Sequence, residues 1–209
     1  MIETHKLALF LTASLVLAAT PGPGMLYVLS RTLAGGKREG ILSSLGTFCG
    51  GLFHVVAASA GLSVVLATSA LAFSVVKYAG AGYLIYLGVK MIFSAKDDLA
   101  GEDVAPSPKG SAFMQGMFTE ILNPKTALFF LSFIPQFVSR QGGHIFAGFI
   151  VLGLISVTLN TAGDVIAVLL AAPLKRIFTR SHRAQINQRR ASGFAMIALG
   201  SYVAVSGSR

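Results

Sequence analysis

Two apolar stretches of this chain are long enough to cross a lipid bilayer, and each is interrupted by proline. The first, residues 7–29, contains Thr20-Pro21-Gly22-Pro23-Gly24; the second, 113–138, contains Leu122-Asn123-Pro124-Lys125. A proline inside a helix removes a backbone donor and clashes with the preceding turn, so each break frees carbonyls. At membrane depth that is tolerated only where the freed groups are buried in protein or line a polar cavity. Pro/Gly-interrupted segments at corresponding places in two halves are the sequence mark of a transporter's substrate site.

Composition supports a membrane setting. Of 209 residues, 54% are hydrophobic and 12% charged, about half the charged fraction of a soluble domain. Six segments approach the length of a span: about 7–30, 41–67, 70–93, 113–138, 146–172 and 191–207. The expected architecture is an all-α integral membrane protein, residues 1–209 forming one transporter domain. Its six transmembrane helices divide into halves of about 1–93 and 113–209, joined by a hydrophilic linker over 94–112. An odd number of spans per half makes the halves antiparallel, the inverted three-helix repeat of secondary transporters, with the first and fourth helices broken. Residues 7–19 imitate a signal peptide, but one lysine against one glutamate ahead of them is a weak basic region, so an uncleaved first helix is expected.

The net charge of +9 is unevenly spread: six basic residues fall in 173–190 without an acid. In a membrane protein such a loop sets orientation, and nucleic acid is not expected as a partner. Loops one, three and five carry eleven Lys and Arg, the opposite side three (Lys6, Arg140, Arg209). The eleven belong in the cytoplasm, which puts both termini outside.

Helix rise places Pro23 about 12 Å, Asn123 about 15 Å and Asp164 about 16 Å from the cytoplasmic ends, near the midplane of a core about 30 Å thick. Glu120, Lys125 and Asp164 are the ionisable residues well inside the spans, where charge is costly and usually faces a cavity or a partner. Lys125 and Asp164 admit two readings: a buried ion pair that holds helices together, or a site for a proton and a substrate carboxylate. Glu120 suits either a vestibule wall or a direct role. Asn123 and Asn160 suit either freed carbonyls or substrate. His54 reads as a packed, hydrogen-bonded residue. Lys77 and Lys90 read as snorkelling lysines, and Gly46, Gly50, Gly80, Gly82 and Gly88 as packing devices that also admit a homodimer.

Enzyme chemistry finds no support. HExxH, GxSxG, P-loop and CxxC patterns are absent, and four histidines with the single Cys49 give no metal-ligand spacing. No cofactor is expected. A channel needs a continuous polar path, and the spans hold few polar residues; a membrane-embedded redox or enzymatic protein needs a nucleophile, metal site or cysteine pair.

Ala19-Thr20-Pro21-Gly22-Pro23, Gly80-Ala81-Gly82-Tyr83-Leu84-Ile85-Tyr86-Leu87-Gly88 and Asn123-Pro124-Lys125 together resemble the LysE/RhtB family of amino-acid exporters. The resemblance implies a bacterial inner-membrane exporter of an amino acid or derivative, exchanging it for protons within the lipid bilayer. It places Pro21, Gly22, Pro23, Asn123, Pro124 and Lys125 at the translocation site; Gly24 in the first break, Glu120 and Asn160 are added as candidates from their own positions in the spans. Asp164 resembles the family's fifth-helix acid. No residue identifies which amino acid is carried.

Overall fold

A computed structural model describes residues 4–68, 70–93, 110–138, 145–171 and 182–205, and apart from short breaks and turns these are helical, with no strand among them. The elements are α1 (Thr4–Ala19), α2 (Pro23–Thr68), α3 (Ala70–Phe93), α4 (Ala112–Ile121), α5 (Pro124–Leu128), α6 (Ile145–Leu169) and α7 (His182–Val205). Most of the expected 94–112 linker, the 173–180 part of the basic stretch and the C-terminal end lie outside the described residues.

The first expected span is two helices. α1 stops at Ala19, and α2 begins on Pro23. A second interruption inside α2 was not expected. Gly36 has φ 83° and ψ −178°, a left-handed conformation that a side chain resists. Nothing lies within 4 Å of where its Cβ would stand, so the backbone angle, and not crowding, requires glycine. The kink separates residues 23–35 from 37–68 and so divides the first span from the second.

The fourth span is also composite. α4 ends at Ile121, α5 runs over five residues, and a π turn (Phe129–Phe133) leads into a 3₁₀ turn (Ile134–Gln136). Pro135 explains the change of pitch, because its ring cannot donate to or pack against the carbonyl one turn back. Phe10, Phe129, Phe133 and Phe137 fill the interior beside this turn, with centroids 4.7 Å apart for Phe133 and Phe137 and 4.9 Å for Phe129 and Phe133.

Small residues let the helices approach. A Cβ on Gly50 would lie 2.5 Å from the Met117 carbonyl oxygen, and one on Gly116 2.6 Å from that of Ser43, so α2 and α4 touch backbone to backbone. α3 and α7 cross in the same way at Gly88 and Gly193. These glycines pack helices within the chain, as small-residue spacing in spans anticipates. α7 begins at His182, so Arg183, Arg189 and Arg190 lie on a helix and not in the loop expected over 173–190. Among the described residues, Pro23–Gly61 and Ile145–Leu169 are long and apolar enough to cross a membrane, and Lys6–Ala19 and Met196–Val205 are shorter apolar helices.

Candidate functional site: two helix breaks capped from opposite halves

In an unbroken helix the Leu17 carbonyl would accept from the N–H of residue 21, and the Glu120 carbonyl from that of residue 124. Both positions are proline, so both carbonyls lose the donor four residues on and accept instead from the N–H three residues on, Leu17 from Thr20 at 3.2 Å and Glu120 from Asn123 at 3.0 Å. Each also receives a second donor, a side chain from the other half of the chain. Lys125 Nζ donates to the carbonyl oxygens of Leu17 at 2.8 Å and Thr20 at 2.5 Å. His54 Nε2 donates to the carbonyl of Glu120 at 2.9 Å; a carbonyl only accepts, so this nitrogen carries the hydrogen. His54 is thus the packed, hydrogen-bonded residue its sequence setting suggested. Pro23 and Pro124 occupy the first positions of α2 and α5, where a missing N–H costs nothing, and both rings are exposed. Pro21 is half-buried.

Gly22 and Gly24 make room for charged side chains. A Cβ on Gly22 would stand 2.9 Å from Lys125 Cδ and 3.3 Å from Nζ, and one on Gly24 would overlap Glu120 Oε2. Glu120 is 1% exposed, which excludes a vestibule wall in this conformation. Its carboxylate accepts from Asn123 Nδ2 at 2.9 Å and Thr126 Oγ1 at 2.6 Å. Asn123 also caps α5, its Oδ1 accepting from the Lys125 N–H at 3.1 Å. Gly22, Gly24, Glu120, Asn123 and Lys125 therefore form one buried cluster.

Asp164, on α6, is also 1% exposed. Its Oδ2 accepts from Thr47 Oγ1 at 2.8 Å, while Oδ1 has no hydrogen-bond partner. Gly163 beside it packs against the Ala18 carbonyl, so α6 meets the end of α1 next to this residue. Lys125 and Asp164 form no ion pair; each has found other partners. Asn160, one turn before Asp164 on the same face, is half-buried and makes no hydrogen bond among the described residues.

Thr47 and Thr126 escaped sequence reading because a hydroxyl in an apolar helix ordinarily bonds its own preceding carbonyl. Thr47 Oγ1 also lies 2.9 Å from the Ser44 carbonyl, so its single hydrogen is shared between that carbonyl and Asp164 Oδ2. Arg31 was counted only for orientation, yet it is buried. Its guanidinium donates to Tyr27 Oη at 2.9 Å, the Gly110 carbonyl at 2.8 Å and Gln115 Oε1 at 3.1 Å, and lies 3.4 Å from Glu39 Oε2. These bonds tie the start of α2 to the start of α4. Lys77 departs from expectation as well: it is buried, with Nζ 5.1 Å from the Tyr78 ring centroid, whereas Lys90 is exposed. Among the described residues no group of three or more His, Cys, Asp or Glu is placed to hold a metal ion.

The model of the LysE type translocators matches residues 15–207. A protein of Bacillus subtilis (strain 168), named uncharacterized membrane protein YrhP, is 39% identical over 147 residues, covering 66% of this chain and 70% of its own. A leucine efflux protein of Salmonella choleraesuis (strain SC-B67) is 32% identical over 146 residues, covering 68% of each chain. No solved structure matches. A family match across both breaks, the capped cluster and α7 leaves one conclusion: the chain is a membrane protein that belongs to the LysE type translocators.

Proposed function

We propose that the protein is a secondary transporter that exports an amino acid or amino-acid derivative across the bacterial inner membrane in exchange for protons. The observation that carries this reading is the buried cluster at two helix breaks, where a cation, two carboxyls and freed carbonyls meet inside an apolar molecule. A zwitterion needs both signs of partner. Its carboxylate suits Lys125 and the N–H groups at the start of a half-helix, and its ammonium suits Asp164 and the freed carbonyls. Relatives named leucine efflux proteins support an amino-acid substrate.

Antiport follows from competition. Asp164 Oδ1, without a partner in this conformation, accepts either a substrate ammonium or a proton from outside, and each excludes the other. Alternating access would be rocking of two inverted three-helix halves. Two features support that arrangement: the packing of α3 on α7 and α2 on α6, and the reciprocal caps at the breaks. Both termini would face the periplasm. Of the third-helix glycines that suggested a homodimer, Gly80 and Gly88 pack within the chain and Gly82 presents open space, so a small-residue dimer contact would use Gly82.

The test is export of a panel of amino acids, leucine first, from cells overexpressing the protein, compared with cells carrying Lys125→Met. Saturable, proton-dependent efflux of at least one amino acid is expected. Equal efflux from both strains for every amino acid would reject the reading, and non-saturating flux would favour a channel. Orientation is tested separately in a Cys49-free background. A cysteine placed at Ser208 should react with an impermeant reagent from outside, and one placed at Ser181 should not; the reverse pattern overturns the topology.

A further inference from the structure

The end of α1 presents two carbonyl oxygens to a single ammonium, and that ammonium belongs to the chain itself. Lys125 Nζ reaches Leu17 and Thr20 from the opposite half of the sequence. With no N–H at Pro21, the Leu17 carbonyl accepts from the Thr20 N–H at 3.2 Å and keeps a second lone pair for the lysine. The lysine stem passes over Gly22, where any Cβ would press on Cδ and Nζ. The carboxyl of Asp164 stands on the neighbouring helix with Oδ1 unpartnered, and Gly163 holds that helix against the Ala18 carbonyl. Carbonyls at a helix C-terminus, at the negative end of its dipole, favour a cation. Two carbonyls with a spare carboxyl oxygen nearby suit a primary ammonium, which has three N–H donors to place.

We propose that the Leu17 and Thr20 carbonyls form a primary-ammonium subsite that Lys125 fills from within the chain, and that a substrate's α-ammonium takes this subsite over during transport while Lys125 turns to the substrate carboxylate. The second clause rests on the amino-acid transport reading above; the first does not. Lys125 is then a tethered stand-in for the substrate's amine. It keeps the carbonyls of the break satisfied when no substrate is present, and substrate must displace it from both.

The test uses purified protein in detergent and no amino acid. Lys125→Ala removes the ammonium and three methylenes, the outline of n-propylammonium. That ion should raise the melting temperature of Lys125→Ala saturably by several degrees, and tetramethylammonium at equal ionic strength, which has no N–H, should not. Wild type, whose subsite is filled, and Lys125→Met, whose side chain occupies the same space, should not respond. If Lys125→Ala is recovered only as aggregate, propylammonium present during extraction should restore a monodisperse peak. Failure of propylammonium to stabilise or recover Lys125→Ala overturns the proposal, as does an equal effect of tetramethylammonium. An amine response without amino-acid export would retain the subsite and reject the transport reading; export without an amine response would do the opposite.

Discussion

Gly22→Ala isolates the bond between the two breaks. Among the described residues the glycines with positive φ are Gly36 and Gly110, and Gly22 is not one of them, so its backbone accepts alanine. By itself that change stabilises by about 0.4–1 kcal/mol through the unfolded state. The new Cβ would stand 2.9 Å from Lys125 Cδ and 3.3 Å from Nζ. The far end of a lysine bends at little cost, but bending here takes Nζ off both carbonyls. Bonds from a charged donor are worth about 1.5–3 kcal/mol each, and breaking them leaves buried polar groups unsatisfied. Some contact survives relaxation, so the net destabilisation should be about 2–4 kcal/mol, opposite in sign to the glycine baseline. The assay is reversible unfolding in micelles for Gly22→Ala, Lys125→Met and the double variant. In the Lys125→Met background no ammonium bond remains to lose, so alanine should cost less there by about 1.5 kcal/mol or more. Equal or greater stability of Gly22→Ala relative to wild type, or an equal cost in both backgrounds, would refute the reasoning.

Thr47→Val keeps the shape of Thr47 but strips Asp164 of its donor, which should cost about 1–3 kcal/mol in unfolding titrations; Thr47→Ser should recover most of it. Asn123→Ala should destabilise by about 1–2 kcal/mol through loss of the α5 cap, and more through loss of a donor to Glu120. Pro124→Ala, at an exposed first helical position, should stay within about 1 kcal/mol of wild type because extended Asn123 still caps α5 and keeps the helix interrupted. Thermal melts of the two variants should rank them in that order. Asp164→Asn removes the group proposed to exchange the proton, so proton-driven export should fail while substrate exchange across vesicle membranes continues; retained pH-dependent export would sink that assignment.

Much of the frame was legible because it follows from physics local in sequence. A run of some twenty apolar residues specifies a helix of membrane length, and proline specifies where it must stop. Depth came from counting along the helix, and it brought Pro23, Asn123 and Asp164 to one level before any contact was known. The partners were not legible. Lys125 and Asp164 are opposite charges at similar depth, so an ion pair was the natural alternative, yet depth says nothing of azimuth. Lys125 satisfies two uncharged carbonyls instead, and Asp164 relies on a threonine 117 positions away. Arg31 hid for a related reason, since basic residues at a span's end are read for orientation and not for burial. Gly36 escaped because one glycine in a helical pattern is ambiguous until its φ is known.

The prolines and the side chains that cap their breaks make one argument about motion. Pro21 removes one backbone donor to Leu17, and Lys125 adds a donor beside the Thr20 N–H; Pro124 removes one backbone donor to Glu120, and His54 adds a donor beside the Asn123 N–H. Neither break is capped only from within its own half. Separating the halves by even a few ångströms would therefore take the side-chain donor from both carbonyls together, a cost in a dry interior that falls where water or a ligand supplies the donor. In an alternating-access cycle that coupling has a direct consequence. Parting at the breaks would cost less when something with N–H or O–H groups enters, which would tie opening to the arrival of a polar solute. A continuous helix in either place would satisfy its own carbonyls and lose that dependence, which is a physical reason for a transporter of small zwitterions to carry its prolines in pairs.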